Sequence, residues 1–193
     1  MFITGGTFDK EYNELTGELY FKGTHLNEML NLGRNKLSLD IETLMMKDSL
    51  EFDDHDRASI AKACQDSFQD HIVITHGTDT MIDTAQLLLQ IPDRRVVLTG
   101  AMQPANFHNT DAIFNIGQAV GVLLSDVQDG VFLAMSGQAR AQSQECEALG
   151  KTFSKRQAVI EQINGFQKKQ VTPDVACSAF TRLGQLTGET IKA

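Results

Sequence analysis

Two short apolar runs in this chain each end in a loop that carries threonine. Ile72-Val73-Ile74 leads into His76-Gly77-Thr78-Asp79-Thr80, and Met1-Phe2-Ile3-Thr4 leads into Gly5-Gly6-Thr7. Short apolar runs bounded by turn-forming residues predict buried strands. Because the carboxyl ends of strands in an open parallel sheet line the ligand crevice, we expect the threonines of both loops to face one cleft.

Apolar strand patterns alternate with helical patterns along most of the chain, which is typical of βα units and a parallel sheet. The strands are predicted at residues 1–4, 37–45, 72–75, 95–99 and 131–135, with a hairpin arm around residues 18–21. The helices are predicted after caps at Thr24 and at Asp53 or Asp54, and over residues 80–90 and 110–124, the last with Ile113, Phe114, Ile116 and Val120 facing inward. The regular alternation ends with the strand at 131–135. We therefore predict an α/β domain over residues 1–137 and a divergent, helical or poorly ordered tail over residues 138–193.

The charge balance limits the class of ligand. The chain has 25 acidic against 17 basic residues and a net charge of -8, whereas a nucleic-acid surface needs clustered Lys and Arg. It also lacks an apolar run long enough to span a membrane and a basic, hydrophobic leader. These features predict a cytoplasmic protein with a small-molecule ligand and neither a nucleic-acid nor a membrane partner. Cys64, Cys146 and Cys177 form no Cys-x-x-Cys pair, so we expect neither a disulfide framework nor a zinc site.

A glycine-rich loop after a strand also opens many phosphate sites. This chain lacks the Gly-x-Gly-x-x-Gly spacing and the Lys-Ser/Thr ending of nucleotide loops, which disfavours that interpretation. Outside the His76 loop, the histidines have no metal-ligand spacing; they are His25, His55, His71 and His108. We expect neither a metal nor an organic cofactor. His76 is predicted to orient a neighbour by hydrogen bonding, and Asp79 is compatible with both a helix cap and ligand binding.

Three segments, taken together, carry a resemblance to a known family. Ile3 to Thr7, His76 to Thr80, and Gly100 to Pro104 with Asp111 and Phe114-Asn115, resemble the signature segments of the bacterial L-asparaginases in order and spacing. The similarity covers about residues 1–136 and matches the amino-terminal domain of that family, so the smaller carboxyl-terminal domain is expected to be absent. The resemblance implies a three-layer, flavodoxin-like (Rossmann-like) fold with a mostly parallel sheet.

The resemblance also implies roles for individual residues. Thr7 matches the nucleophilic threonine, and Tyr20, or else Tyr12, matches the loop tyrosine that assists it. Thr78 and Asp79 match the second threonine and the aspartate that holds the substrate's amino group. The lysine that completes this second group has no clear match, and Lys151 is the best candidate, followed by Lys155. Further substrate contacts are implied for Gly6, Gly77, Ala101 and Met102.

The chain departs from the family at one binding segment. Where the family often has a Ser-Gln pair before an Asp, this chain has Met46-Lys47-Asp48, which we assign to substrate binding. Two like charges about 4 Å apart repel by about 4 kcal/mol at an effective dielectric of about 20. Lys47 beside a substrate amine therefore predicts poor hydrolysis of asparagine.

Two functions remain open at this point. The first is an amidohydrolase in which Thr7 attacks a side-chain amide and releases ammonia, without a cofactor. The second is a catalytically weak or inactive domain that binds an amino acid or dicarboxylate. Because family members complete their active sites with a neighbouring subunit, a homodimer or larger assembly is expected in both cases. Ammonia release distinguishes the two.

Overall fold

The computed structural model describes residues 1–142, and these residues form alternating strands and helices. The strands are β1 (Phe2–Gly5), β2 (Lys10–Tyr12), β3 (Leu19–Phe21), β4 (Glu42–Lys47), β5 (His71–Thr75), β6 (Arg95–Thr99), β7 (Gly130–Met135) and β8 (Gln138–Ala141). The helices are α1 (Leu26–Leu32), α2 (Asp54–Asp66), α3 (Met81–Leu88) and α4 (Ala112–Leu123). Single 3₁₀ turns occur at Thr7–Asp9 and Ser49–Glu51. Tail residues beyond 142 lie outside the described part of the chain.

Six strands form the main sheet in the order β4-β1-β5-β6-β7-β8, and all pair in parallel except β8. Counting only the five parallel strands in chain order, this is the 2-1-3-4-5 order of flavodoxin-like folds. The order reverses between β1 and β5, and such a switch point leaves a ligand crevice at the strand carboxyl ends. The predicted fold class is therefore confirmed. Strands β2 and β3 pair separately as a hairpin arm.

Two apolar cores cover the two faces of the sheet. Alternate residues of each strand point to opposite faces, so Phe2 packs with one core and Ile3 with the other. The first core contains residues of α2 and α3, including Ile60 and Leu88. The second contains residues of α1 and α4, including Leu26. Helices thus cover both faces, which gives the predicted three layers.

Helix α2 forms where its sequence carries a strong start signal. The Asp53 side chain accepts a hydrogen bond from the backbone N–H of Asp56 at 2.8 Å, and the Asp56 side chain accepts one from the Asp53 N–H at 3.2 Å. This reciprocal capping box confirms the predicted cap at Asp53. The predicted cap at Thr24 is displaced by one residue, because His25 is the N-cap of α1; the Thr24 hydroxyl accepts a hydrogen bond from the backbone N–H of Leu26 at 3.2 Å.

The predicted strand at residues 37–45 is wrong at its start, because β4 begins only at Glu42. The first pairing of β4 is Glu42 opposite Phe2, at the start of β1. Earlier residues such as Leu37 have no residue of β1 beside them, and they remain exposed or partly exposed. The alternating pattern is present, but a ladder also needs a partner strand.

The predicted inward face of α4 is wrong in two of its four residues. Ile113 and Phe114 are 40% and 60% exposed, whereas Ala112, Ile116, Ala119 and Leu123 are buried. The two alanines let the helix approach the sheet closely, and this rotation also turns the polar Asn115 inward. Asn115 is needed there, as its hydrogen bonds below show.

Strand β8 was missed, because regular structure was predicted to end at Met135. Ser136 and Gly137 have φ values of 53° and 77°, the two positive values of a type I′ hairpin turn. This turn folds Gln138–Ala141 antiparallel onto β7. The four residues of β8 are exposed, so no apolar alternation marks them as a strand. Within residues 1–142, no helix is both long enough and apolar enough to cross a membrane.

Candidate functional site

The loops after β1 and β5 touch through their glycines. A Cβ on Gly6 would lie 2.4 Å from the backbone N of Gly77 and 2.5 Å from its Cα, so only glycine fits. Gly6 also has a φ of 74°, a conformation that favours glycine. Both loops leave the sheet at the switch point, and this contact holds the segment before Thr7 against the segment before Thr78.

The third signature segment joins the same cluster. A Cβ on Gly100, directly after β6, would lie 2.5 Å from the carbonyl oxygen of His76 and 3.3 Å from Thr78 Cγ2. The three segments singled out in the sequence therefore meet at one edge of the sheet. Thr7 and Thr78 are partly exposed there and Asp79 is exposed, while Gly6 and Gly77 are buried.

Ser49 is a residue of this cluster that the sequence analysis missed. Its side chain is buried, and a Cβ on Gly77 would lie 2.4 Å from its Oγ. Within the described part of the chain, the Ser49 hydroxyl has no hydrogen-bond partner. Its carbonyl oxygen accepts a hydrogen bond from Thr80 Oγ1 at 2.8 Å, which fixes the turn after β4 against the His76–Thr80 loop. A serine next to an aspartate in a polar stretch gives no sequence signal, and only the tertiary contact identifies it.

His76 is fully buried, although it was predicted on a polar loop. Its Nδ1 lies 2.7 Å from the Gly77 carbonyl oxygen and its Nε2 lies 2.8 Å from Thr84 Oγ1. Since a carbonyl can only accept, Nδ1 carries the proton of the neutral ring. Burial lowers the pKa of His76 to about 4, which keeps the ring neutral near pH 7. His76 thus binds the loop that carries Thr78 and is no proton donor at neutral pH.

Asp111 holds the loop after β6. Its carboxylate accepts hydrogen bonds from the backbone N–H of Met102 and Gln103, each at 3.0 Å, and from Asn115 Nδ2 at 2.8 Å. Asn115 Nδ2 also lies 2.9 Å from the carbonyl oxygen of Gly100, and Asn115 Oδ1 accepts from the Ser136 N–H at 2.9 Å. Ala101, between these contacts, is buried. Because Asp111 occupies the Met102 and Gln103 amides, they are not free to bind a substrate oxygen.

Lys47 does not carry the unpaired charge on which the sequence-based prediction of poor asparagine hydrolysis rests. Its Nζ lies 2.8 and 2.9 Å from the two carboxylate oxygens of Asp56 in α2. The hydrogen bond to Asp56 raises the pKa of Lys47, and the same bond lowers the pKa of Asp56. The predicted repulsion of a substrate amine is therefore overestimated. Met46, the preceding residue of β4, packs against the second core.

Asp48 is occupied in a similar way. Its carboxylate binds Lys10 Nζ, and its Oδ1 accepts from the backbone N–H of Leu50 at 3.0 Å. Burial opposes its ionisation, but the hydrogen bonds from Lys10 and Leu50 outweigh it and lower the pKa of Asp48. Lys10 belongs to β2, so this ion pair joins the base of the hairpin arm to the end of β4.

Tyr20 lies on the arm and is 41% exposed. Its hydroxyl donates to Glu11 Oε2 at 3.1 Å, and this hydrogen bond raises the pKa of Tyr20. Tyr12, the other candidate, is 48% exposed and pairs across the hairpin with Leu19. Lys151 and Lys155 lie outside the described residues, so the lysine stays a prediction.

Asp9 carries a buried carboxyl and is the last residue of the Thr7–Asp9 turn. It is fully inaccessible to solvent, and burial raises its pKa to about 6, against smaller lowering contributions from Thr24 and His25. A raised acid pKa means that the folded state favours the protonated form. Folding is therefore penalised as the pH rises from about 4 to about 6 and stays penalised above that range.

We compare the free energy of unfolding of Asp9→Asn with that of wild type. The difference in favour of the variant is expected to be about 2 to 3 kcal/mol larger at pH 8 than at pH 4. His76 acts in the opposite direction, because its lowered pKa makes stability rise with pH between about 4 and 6.5. Wild type should accordingly show a flat pH profile in this range, and Asp9→Asn a rising one. Urea unfolding at several pH values measures both. Parallel profiles for the two proteins would show that Asp9 ionises normally.

Two other features lie apart from the cluster. Ligand atoms of Asp53, His55 and Asp56 approach within 4.8 Å, but the two aspartates already form the capping box and the Lys47 ion pair. A groove of about 910 Å³ has Met1 and His71 in its lining, at the amino ends of β1 and β5. It therefore lies at the edge of the sheet opposite Thr7.

The fold and the site together define a class of protein. It is a flavodoxin-like α/β domain in which threonine-bearing loops pack together at the switch point. The protein-family model described as Asparaginase, N-terminal, matches residues 1–176. The chain thus belongs to the asparaginase family, through its amino-terminal domain.

Individual relatives agree with this membership. An L-asparaginase from Bacillus licheniformis is 33% identical over 129 residues, covering 62% of this chain and 39% of the relative. A probable periplasmic L-asparaginase from Haemophilus influenzae is 33% identical over 146 residues, covering 70% and 42%. The chain thus spans about two fifths of the length of these relatives.

Solved structures show the same partial coverage. A probable cytoplasmic L-asparaginase from Campylobacter jejuni has a TM-score of 0.64 and 28% identity, covering 72% of this chain and 46% of that one. The thermostable L-asparaginase from Thermococcus kodakarensis has a TM-score of 0.58 and 29% identity, covering 72% and 44%. Because the relatives include one named cytoplasmic and one named periplasmic, the cytoplasmic location stays a prediction.

Proposed function

We propose that this chain is an amidohydrolase of the L-asparaginase type, which hydrolyses the side-chain amide of asparagine or a related small amide. The observation that carries the proposal is the backbone contact between Gly6 and Gly77. It puts the loop with Thr7 beside the loop with Thr78 and Asp79, at the crevice where flavodoxin-like folds bind ligands. Two hydroxyls and a carboxylate from neighbouring loops suit a small, polar, amine-bearing substrate.

In the proposed reaction, the Thr7 oxygen bonds to the amide carbon and the carbon–nitrogen bond then breaks. The nitrogen leaves as ammonia after taking a proton, and water cleaves the Thr7 ester to give the carboxylate. Thr78 with a lysine, and Tyr20 at the arm, would move the protons. Backbone N–H groups would stabilise the oxyanion, other than the Met102 and Gln103 amides that Asp111 holds.

Ser49 and Asp79 are proposed to bind the substrate's carboxylate and amine. The Ser49 hydroxyl is buried against Gly77 and, among residues 1–142, has no hydrogen-bond partner. Buried hydroxyls are usually paired, so an unpaired one at this edge suits a ligand oxygen. Ser49 replaces Lys47 in this role, because Lys47 is bound to Asp56.

A catalytically weak binding domain is the second candidate, because Asp111 occupies the Met102 and Gln103 amides that could otherwise stabilise an oxyanion. We propose that a homodimer or larger assembly completes the crevice, and that the separate tail begins only after β8, which ends at Ala141 and belongs to the main sheet. Light scattering of the full chain tests the assembly.

The deciding experiment measures ammonia release by the full chain with asparagine, glutamine and simple amides as substrates. The proposal expects saturable ammonia release from at least one of them. Calorimetric binding of aspartate without ammonia release from any amide would instead establish the binding domain. If the chain neither binds aspartate nor releases ammonia, both candidate functions are excluded.

A further inference from the structure

Helix α4 has no charged side chain among its 12 residues. Helix α2, with 13 residues, has five, as expected of a helix that turns one face to solvent. A helix that is apolar all round is typical of an element that is covered on every side. In this structure only one side of α4 is buried, and it packs into the second core through Ala112, Ile116, Ala119 and Leu123.

The opposite side of α4 is apolar and open to solvent. Ile113, Phe114 and Leu124 are 40%, 60% and 57% exposed, and Val120 is partly exposed. At about 100° of rotation per residue, these four positions fall on one side of the helix, which we call the outer face of α4. The part of the chain that the structure describes leaves this face open. A continuous exposed apolar face marks an interaction surface.

The charge of the chain favours a second copy of itself as the partner on this face. The net charge of -8 makes two copies repel each other over most of their surfaces. Contact through the outer face of α4 brings no charged residue of the helix into the interface, so it avoids this repulsion. An uncharged apolar face is also complementary to itself, which an isologous contact between identical chains requires.

Phe114 connects the outer face of α4 to the edge of the sheet that carries the crevice. A Cβ on Gly137 would lie 3.9 Å from Cε1 and Cζ of Phe114, so the ring lies beside the turn between β7 and β8. This turn follows the carboxyl end of β7, and the Thr7 and Thr78 loops follow the carboxyl ends of β1 and β5. Because these strands are parallel, a partner bound to Phe114 would lie at the same edge of the sheet as both threonines.

We propose that the outer face of α4 binds the same face of a second copy of this chain, with the Phe114 ring as the anchor. Large aromatic side chains carry much of the energy of such contacts. The inference rests on the proposed function only for the purpose of the assembly, which is to complete the crevice. A helix of 12 residues is about 18 Å long, so the contact is smaller than a standard interface and the dimer dissociates on dilution.

Sedimentation equilibrium of the full chain, over about three orders of magnitude of concentration, tests the contact. Wild type should pass from monomer to dimer as its concentration rises. Phe114→Glu should weaken the dimer about a hundredfold or more, because both copies would bury a carboxylate. Phe114 is 60% exposed, so the variant should fold, and circular dichroism checks this. Ile113→Glu is a second variant of the same face and should act in the same direction.

Phe68→Glu is the matched control. Phe68 is fully exposed just after α2 and lies outside the outer face of α4, so the same substitution there should leave the dimer nearly unchanged. Added sodium chloride should strengthen the wild-type dimer, because salt screens the repulsion between two chains of like charge.

Tryptophan fluorescence reports what covers the outer face of α4. The chain has no tryptophan, so Phe114→Trp introduces a single indole there. Its emission should move to longer wavelength on dilution, in step with the loss of dimer mass. A short-wavelength emission that stays constant with concentration in a monomer would show that the chain covers this face itself, and it would overturn the proposal.

A wild type that is monomeric at every concentration, or a Phe114→Glu chain that dimerises as well as wild type, would also overturn the proposal. A dimer that salt weakens would do the same, because that dependence indicates ion pairs at the interface. Ammonia release tests the proposed function separately. A dimer that depends on Phe114 but releases no ammonia from any amide would keep the α4 contact and exclude the amidohydrolase.

Discussion

Gly6→Ala is expected to destabilise the protein by more than about 4 kcal/mol or to prevent folding. The new Cβ would lie 2.4 Å from the Gly77 nitrogen, and both neighbours are backbone that cannot rotate away. The φ of 74° adds strain for any residue with a side chain. Urea unfolding followed by circular dichroism measures the change.

Gly117→Ala is the matched control for this substitution. Gly117 lies in α4, is exposed, and a Cβ there would meet nothing within 4 Å. Alanine in a helix interior is expected to stabilise by about 0.5 to 1 kcal/mol. If the free energy of unfolding of Gly6→Ala were within about 1 kcal/mol of the wild-type value, the two loops would not touch in solution. The geometric basis of the proposed function would then be lost.

Thr7→Ala is expected to reduce ammonia release about a thousandfold or more, because loss of a nucleophile removes covalent catalysis and leaves only binding. The stability of the fold should change little, since Thr7 is partly exposed in its turn. Steady-state ammonia release against substrate concentration gives kcat and KM for the variant.

Thr7→Ser is the control that keeps a hydroxyl, and it should retain far more activity than Thr7→Ala. Thr78→Ala should also impair release, but without abolishing a burst of covalent product that depends on Thr7. A Thr7→Ala enzyme within about tenfold of wild type would assign the nucleophile elsewhere.

The strands could be predicted because their signal is local. Ile72 to Thr75 and Arg95 to Thr99 are short apolar runs with β-branched residues, and β5 and β6 match them to within one residue. The carboxyl-edge position of the threonine loops then follows from parallel topology alone. That is why the clustering of the Gly6 and Gly77 segments could be predicted before the structure.

The errors occur where a neighbour decides the outcome. Leu37 has a strand-like pattern but no partner strand. Helix α4 turns Asn115 inward, where its side chain hydrogen-bonds with Gly100 and Ser136, and Ile113 and Phe114 are exposed instead. The sequence indicated a free cation at Lys47. In the structure it is paired with Asp56, nine residues later in the chain, which also belongs to the capping box of α2. Such interactions depend on packing between elements and leave no mark in a single sequence.

The Asn115 side chain has a mechanical consequence for the crevice. One amide group joins the carbonyl of Gly100, the carboxylate of Asp111 and the N–H of Ser136. The loop after β6 and the tight turn between β7 and β8 are therefore both hydrogen-bonded to Asn115 of α4, and the Gly137 N–H of that turn also donates to Gln118 Oε1 at 3.0 Å. Displacing the turn before β8 would therefore disturb the Ser136–Asn115 hydrogen bond and, through the same side chain, the Asn115 hydrogen bond to the Gly100 carbonyl next to Ala101.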